Sequence, residues 1–127
     1  MNVKHVLVMD DERDMLEVCK TLLESQGFAV HTAFNALGGL EILSRRKIDL
    51  ILADLKMPGM EGLEFMEKAR AQNPQIGFIL MTGFWSNKTY EIEKASPRLD
   101  GFLKKPFSPE ALFELINNFF ARERVGD

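Results

Sequence analysis

The sequence has few of the features that mark secreted, disulfide-stabilised or membrane-spanning proteins. Cys19 is the one cysteine among 127 residues, so no disulfide can form within the chain, which favours a reducing compartment. No apolar run approaches the roughly 18 residues of a membrane-spanning helix. The apolar run at residues 6–9 is also shorter than a signal-peptide core. We therefore expect a cytoplasmic protein that makes no membrane contact.

The sequence also lacks a large excess of either positive or negative charge. The formal net charge is −3, with 28% charged and 46% hydrophobic residues. Nucleic-acid binding by bulk charge needs a basic face, so this composition argues against a nucleic acid as a direct partner. The chain shows no internal repeat and no long linker, and we expect a single globular domain over residues 1–127.

Short apolar runs alternate with longer amphipathic segments. The runs begin near residues 6, 28, 48, 76 and 102. Most of them carry apolar residues at consecutive positions, which is typical of parallel strands covered on both faces. They predict five strands.

Five amphipathic segments follow these strands and predict five helices. The fourth, over residues 86–96, has the fewest apolar residues, and Pro97 must end it. The other helices are bounded by recognisable start and stop signals: Gly27, Asn35, Gly62, Asn73-Pro74 and Ser108-Pro109. The alternation predicts an α/β domain with right-handed crossovers and a site beyond the carboxyl ends of the strands.

Chemically active side chains follow four of the predicted strands. They are Asp10-Asp11-Glu12, Asp54, Thr82 and Lys105. Carboxylates at close range repel one another unless a hard divalent cation such as Mg²⁺ lies among them. A metal, a lysine and a hydroxyl together can hold the oxygens of a phosphoryl group, which leaves one carboxylate as the nucleophile.

Each of these residues also has an ordinary structural explanation. Asp10, Asp11 and Asp14 could cap the first helix. Asp54 could be a solvated loop acid, and Lys105 could be a surface lysine. Because all of these residues lie at the predicted ends of separate strands, their joint placement favours a common site.

The same motifs resemble the receiver domain of two-component response regulators, the CheY-like family, over residues 6–120. They are Asp10-Asp11-Glu12, Asp54-Leu55-Lys56-Met57-Pro58-Gly59 with Gly62, Met81-Thr82-Gly83, and Phe102-Leu103-Lys104-Lys105-Pro106-Phe107. The resemblance implies a single-domain, doubly wound (βα)5, flavodoxin-like fold with a parallel sheet of order 2-1-3-4-5. It also implies a phosphoprotein that relays signals rather than an enzyme.

The resemblance implies a phosphoryl-accepting magnesium site. Asp54 would be the phosphoacceptor, taking its phosphoryl group from a phosphohistidine of a sensor histidine kinase or a phosphotransfer protein. Asp11, Asp54 and the backbone carbonyl of Lys56 would bind Mg²⁺ directly, and Asp10 would hold it through water. Lys105 would pair with a phosphoryl oxygen.

It further implies a switch. Thr82 would hydrogen-bond a phosphoryl oxygen, and Phe102 would turn inward as Thr82 moves. The Lys105-Pro106 peptide bond is expected to be cis. A downstream effector would then recognise the changed face of predicted helix four, strand five and helix five.

Three other functions fit parts of the pattern. A Mg²⁺-dependent aspartyl phosphohydrolase would also place an Asp at a strand end, but Lys56 replaces its usual second acid. A nucleotide or flavin binder would need a glycine-rich loop after the first strand, where this chain has acids. A non-phosphorylated scaffolding pseudo-receiver would not need the acid, threonine and lysine set.

Overall fold

The five predicted strands form one parallel sheet in the computed structural model, which describes residues 3–55, 60, 62–83 and 99–125. The strands are β1 (His5–Met9), β2 (Ala29–Ala33), β3 (Leu50–Asp54), β4 (Gly77–Thr82) and β5 (Gly101–Lys104). Their order across the sheet is β2-β1-β3-β4-β5, and every neighbouring pair is parallel. The predicted order 2-1-3-4-5 is therefore confirmed.

Four helices are found in the described part of the chain. They are α1 (Arg13–Ser25), α2 (Ala36–Arg45), α3 (Gly62–Gln72) and the C-terminal helix (Pro109–Val125). The predicted helix over residues 86–96 and its terminator Pro97 lie outside the described residues. Within the ranges that are described, no helix is both long enough and apolar enough to cross a bilayer.

The predicted helix boundaries have clear local causes. Gly27 adopts a φ of 91°, a left-handed conformation that glycine tolerates, and its N–H donates to the carbonyl of Glu24 at the end of α1. The Asn35 side chain accepts the Gly38 N–H at 2.8 Å and caps α2. The Ser108 hydroxyl accepts the N–H of the third following residue at 3.1 Å and caps the C-terminal helix.

The sheet has a hydrophobic layer on each face. Along β1, Val6 and Val8 pack into one layer, with α1 and the C-terminal helix, whereas Leu7 and Met9 pack into the other, with α2 and α3. All four side chains are fully buried, and burying each one contributes roughly 1.5–3 kcal/mol. A central strand that is apolar on both sides therefore holds the sandwich together.

A partly buried ion pair fixes the start of β5. The guanidinium of Arg70, on α3, donates to the Asp100 carboxylate at 3.1 Å and to the Ile76 carbonyl at 3.3 Å. The same Asp100 oxygen accepts the N–H of Phe78 at 2.8 Å. Arg70 and Asp100 therefore tie α3, β4 and β5 together at the amino ends of the strands, opposite the acids.

Candidate functional site

The sheet brings the four predicted strand ends to one edge. Asp10 follows β1, Asp54 is the last residue of β3, Thr82 is the last residue of β4, and Lys105 follows β5. The register pairs Met9 of β1 with Ala53 of β3, so the residues that follow them, Asp10 and Asp54, come at the same level of the two neighbouring strands. These groups meet because parallel strands share a carboxyl edge, although up to 95 positions separate them along the chain.

Lys105 joins two of the carboxylates. Its Nζ donates to Asp10 Oδ2 at 2.5 Å and to Asp54 Oδ2 at 2.8 Å. The side chain of Asp10 is fully buried, and those of Lys105 and Asp54 are only 10% and 14% exposed. A charged group this deep needs a partner of opposite charge, and the single ammonium serves both acids.

The environment of Lys105 favours its charged form. Burial is the largest single influence and lowers the pKa of Lys105, but the hydrogen bonds and charges of Asp10 and Asp54 together outweigh it, so the pKa ends above its ordinary value. Lys105 is therefore an ammonium at neutral pH.

Three consecutive acids lie close together directly after β1, the first buried and the other two exposed. Carboxylate oxygens of Asp10, Asp11 and Glu12 lie within 4.8 Å of one another, with Asp11 and Glu12 exposed. Asp10 Oδ1 accepts the Glu12 N–H at 2.9 Å, which turns the chain between β1 and α1. Glu12 is the N-cap residue and makes no side-chain cap hydrogen bond. Asp14 lies in the first turn of α1 instead.

Glu12 belongs to this cluster, although the sequence indicated no separate role for it. Its position in the acidic motif was visible, but nothing in the sequence indicated that its carboxylate turns toward Asp10 and Asp11. Lys56, whose carbonyl was expected to bind a metal, lies outside the described residues.

The donor set suits a hard divalent cation. All of its ligand atoms are carboxylate oxygens, which Mg²⁺ prefers, and it offers no thiolate or imidazole for a softer metal. Asp10, Asp11, Glu12 and Asp54 carry four negative charges against the one positive charge of Lys105. The excess of negative charge fits Mg²⁺, which binds one or two carboxylates and keeps several waters.

The remaining predicted residues lie on β4, on β5 or directly after β5. Thr82 is buried, with 4% of its surface exposed. Phe102 is half-buried in β5 and packs against the layer that contains α2 and α3. The peptide bond between Lys105 and Pro106 is cis, as expected from the resemblance. Lys104 is exposed at the end of β5.

The two histidines and the cysteine are not part of the acidic cluster. His5 is the first residue of β1, and His31 lies in the middle of β2. Cys19 is buried in α1, and burial, with a smaller contribution from Asp10, raises its thiol pKa to about 11. Its thiol is therefore protonated, as expected for a buried small hydrophobic residue.

Sheet order and layer arrangement place the protein in the flavodoxin-like class of doubly wound α/β domains. The model of the response regulator receiver domain family matches residues 6–117. The chain belongs to this family, and so is a signalling domain of two-component systems.

Curated relatives carry the same domain within longer chains. The response regulator SaeR of Staphylococcus aureus strain USA300 is 34% identical over 121 residues, which cover 93% of this chain and 51% of SaeR. The chain thus spans about half the length of the curated relatives that it matches.

Solved structures have the same fold over nearly the whole chain. A CheY-like receiver domain protein from Methanospirillum hungatei JF-1 has a TM-score of 0.90 and 30% identity, covering 99% of this chain and all of that one. The response regulator TrrA from Thermotoga maritima, solved in complex with Mg²⁺-BeF, has a TM-score of 0.80 and 29% identity, covering 91% of this chain and 98% of that one.

Proposed function

We propose that residues 1–127 form a phosphoacceptor receiver domain in which Asp54 takes a phosphoryl group from a phosphohistidine of a sensor histidine kinase or phosphotransfer protein. One observation carries the proposal: the Lys105 ammonium lies 2.8 Å from Asp54 Oδ2 while Asp10 holds it from the other side. This arrangement presents a carboxylate oxygen and a fixed positive charge at the same point of the sheet edge.

The transfer is a nucleophilic displacement at phosphorus. A carboxylate oxygen of Asp54 attacks the phosphorus, the P–N bond to the donor imidazole breaks, and an acyl phosphate forms on Asp54 while the imidazole leaves. Negative charge on the transferring oxygens is stabilised by the Lys105 ammonium, which Asp10 keeps in position. Asp54 is a better nucleophile candidate than Asp10, because Asp10 is fully buried.

Residues Asp10, Asp11 and Asp54, with the carbonyl of Lys56, would hold Mg²⁺. When bound, this ion would neutralise charge on the phosphoryl oxygens. The acidic cluster supports the choice of metal, as does the Mg²⁺-BeF complex of TrrA.

The acyl phosphate would act as a switch rather than as an intermediate of enzymatic turnover. It adds a charge of roughly −2 and strong acceptor oxygens, toward which Thr82 and Lys105 would move. Phe102 would then turn inward, and the face of predicted helix four, β5 and the C-terminal helix would change for a downstream effector. We place this function in the cytoplasm.

Phosphorylation by a small donor tests the proposal. Incubation with acetyl phosphate and Mg²⁺ should add the mass of one phosphoryl group, as seen by intact-mass spectrometry. Asp54→Asn should remove the gain. Asp49→Asn is the matched control, because Asp49 lies at the opposite end of the sheet and its amide oxygen can still accept the N–H of His5.

Two other outcomes would overturn the proposal. An unchanged wild-type mass would favour a scaffolding pseudo-receiver. Sustained release of phosphate from simple phosphomonoesters, with loss of that activity in Asp54→Asn, would favour an aspartyl phosphohydrolase.

A further inference from the structure

Strand β2 forms an open edge of the sheet. It pairs with β1, and no other strand of the described ranges lies on its far side. The Ala29 N–H donates to the Lys4 carbonyl at 3.0 Å, and the Ala33 carbonyl accepts the Asp10 N–H at 3.2 Å. Because successive residues of a parallel strand bond in opposite directions, Val30 and Thr32 direct their backbone N–H and C=O groups outward.

A concavity lies on each side of this edge. One, of about 490 Å³, lies between β2 and α2, and the other, of about 380 Å³, lies between β2 and α1. Thr32 and Phe34 line both of them. The outward-facing backbone of β2 is thus a ridge between two depressions.

This shape fits one added strand. Side chains of an extended peptide point alternately to opposite faces, so a peptide bonded to Val30 and Thr32 would place alternate side chains in the two concavities. The edge also lacks the usual protection against such pairing. Its sequence, Ala-Val-His-Thr-Ala, has no lysine, proline or acid, and its register with β1 has no bulge over five residue pairs.

The charge around the edge indicates the chemistry of the added strand. The charged residues that line the concavity beside α1 are Arg13, Glu17 and Lys20, and those beside α2 are Glu41, Arg45 and Arg46. Glu41 pairs with Arg45, so each concavity has one more basic than acidic residue. Lys20 and Arg46 are exposed, and within the described part of the chain neither has a carboxylate at ion-pair distance. A second copy of the chain would bring like charges together here, whereas an acidic peptide would pair with them.

We propose that the β2 edge binds an extended acidic segment of a partner protein by strand addition. Phe34, whose residue surface is 48% exposed at the carboxyl end of β2, supplies an apolar contact for one side chain of that segment. Arg13 lies 5.6 Å above the Phe34 ring and adds positive charge at the same place. Asp54 does not line either concavity, and the proposed contact does not require its phosphorylation.

A synthetic peptide with the repeat Glu-Glu-Val-Val, which presents glutamate on both faces of an extended strand, is the probe, and the protein is followed by amide NMR. Saturable binding is expected, with slowed hydrogen exchange at the amides of Val30 and Thr32. Lys20→Glu and Arg46→Glu should each weaken binding by about fivefold. Lys68→Glu, the same charge change at an exposed position of α3, should alter it by less than about twofold. Asp54→Asn should bind like the wild type.

Several results would overturn the proposal. They are equal affinity for a lysine–valine peptide, equal effects of the three charge reversals, absence of binding, or amide changes confined to another surface. Sedimentation of the chain alone provides a further check. A concentration-dependent dimer that protects the same two amides would make a second copy the occupant of the edge.

Discussion

The backbone N–H of Lys105 donates to the carbonyl of Thr82 at 2.7 Å. This bond continues the β4–β5 ladder one step beyond the paired residues Thr82 and Lys104. The two residues that we expect to contact phosphoryl oxygens are therefore tied through the main chain. Side-chain movement toward a phosphoryl group on Asp54 can then occur while the strands that carry both residues stay in register.

Replacing Lys105 tests the role of the bridging ammonium. Lys105→Ala should slow phosphorylation by acetyl phosphate at least about tenfold, because charge on the transferring oxygens loses its partner. It should also lower the free energy of unfolding without Mg²⁺ by about 3 kcal/mol, since the buried Asp10 carboxylate loses its counter-charge. Intact-mass time courses and urea unfolding measure the two effects. Lys104→Ala, at an exposed neighbour, is the control, and equal behaviour of the two variants would show that the ammonium has no such role.

Magnesium should stabilise the fold through the acidic cluster. At ten times the dissociation constant, a ligand of the native state adds about 1.4 kcal/mol to the free energy of unfolding. That corresponds to a rise in melting temperature of roughly 4–6 °C for a chain of this length. Thermal unfolding in Mg²⁺ and in EDTA gives the shift.

A pair of aspartate variants assigns that shift to the proposed site. Asp11→Asn should reduce it strongly, because it removes an exposed carboxylate of the cluster. Asp14→Asn, in the first turn of α1, should keep it. An equal shift in both variants would place the ion elsewhere.

Local structure could be predicted because its causes are local. Apolar runs predicted the five strands, and Gly27, Asn35 and Ser108 predicted three helix boundaries through a turn conformation or a cap. The order of the strands came from the resemblance, since no short pattern states which strand neighbours which. The Arg70–Asp100 pair, which fixes the approach to β5, has no sequence signature at all, because 30 positions separate its members.

The site could likewise be predicted where it depends on local patterns but not where it depends on contacts between distant residues. The strand ends indicated which residues share an edge, so Asp10, Asp54 and Lys105 could be expected to lie near one another. The sequence could not show that one ammonium bridges both acids, because this depends on side-chain direction across 95 positions. The two concavities beside β2 depend on how α1 and α2 pack and were not predicted.

Two adjacent glycines in α2 should respond oppositely to alanine. A Cβ at Gly38 would make ordinary contacts, 3.4 Å from Asn35 Oδ1 and 3.5 Å from Ala33 Cβ. Gly38→Ala should therefore raise the free energy of unfolding by about 0.5–1 kcal/mol through better helix propensity. A Cβ at Gly39 would lie 2.7 Å from Met9 Cε and 2.9 Å from Phe65 Cζ.

Gly39→Ala should therefore lower the free energy of unfolding by about 1 kcal/mol or more, because overpacking of the buried layer outweighs the gain in propensity. Urea unfolding of both variants measures the contrast. Equal stabilisation by the two alanines would show that Met9 and Phe65 yield without cost.

His31 should make the protein less stable in mild acid. Burial, followed by the charges of Arg46, His5 and Lys20, lowers the pKa of His31 below its ordinary value of 6.5. The unfolded chain then binds a proton at this residue more readily than the native protein does. Stability is therefore lost as the pH falls through the ordinary pKa toward the lower pKa of the native protein.

His31→Gln should lose less stability between about pH 7.5 and about pH 5.5 than the wild type does. If the variant loses the 3.0 Å contact between the His31 and His5 rings, its free energy of unfolding will already differ from that of the wild type at the higher pH. Urea midpoints of both proteins at the two pH values separate these effects, and parallel pH dependence of the two proteins would contradict the prediction.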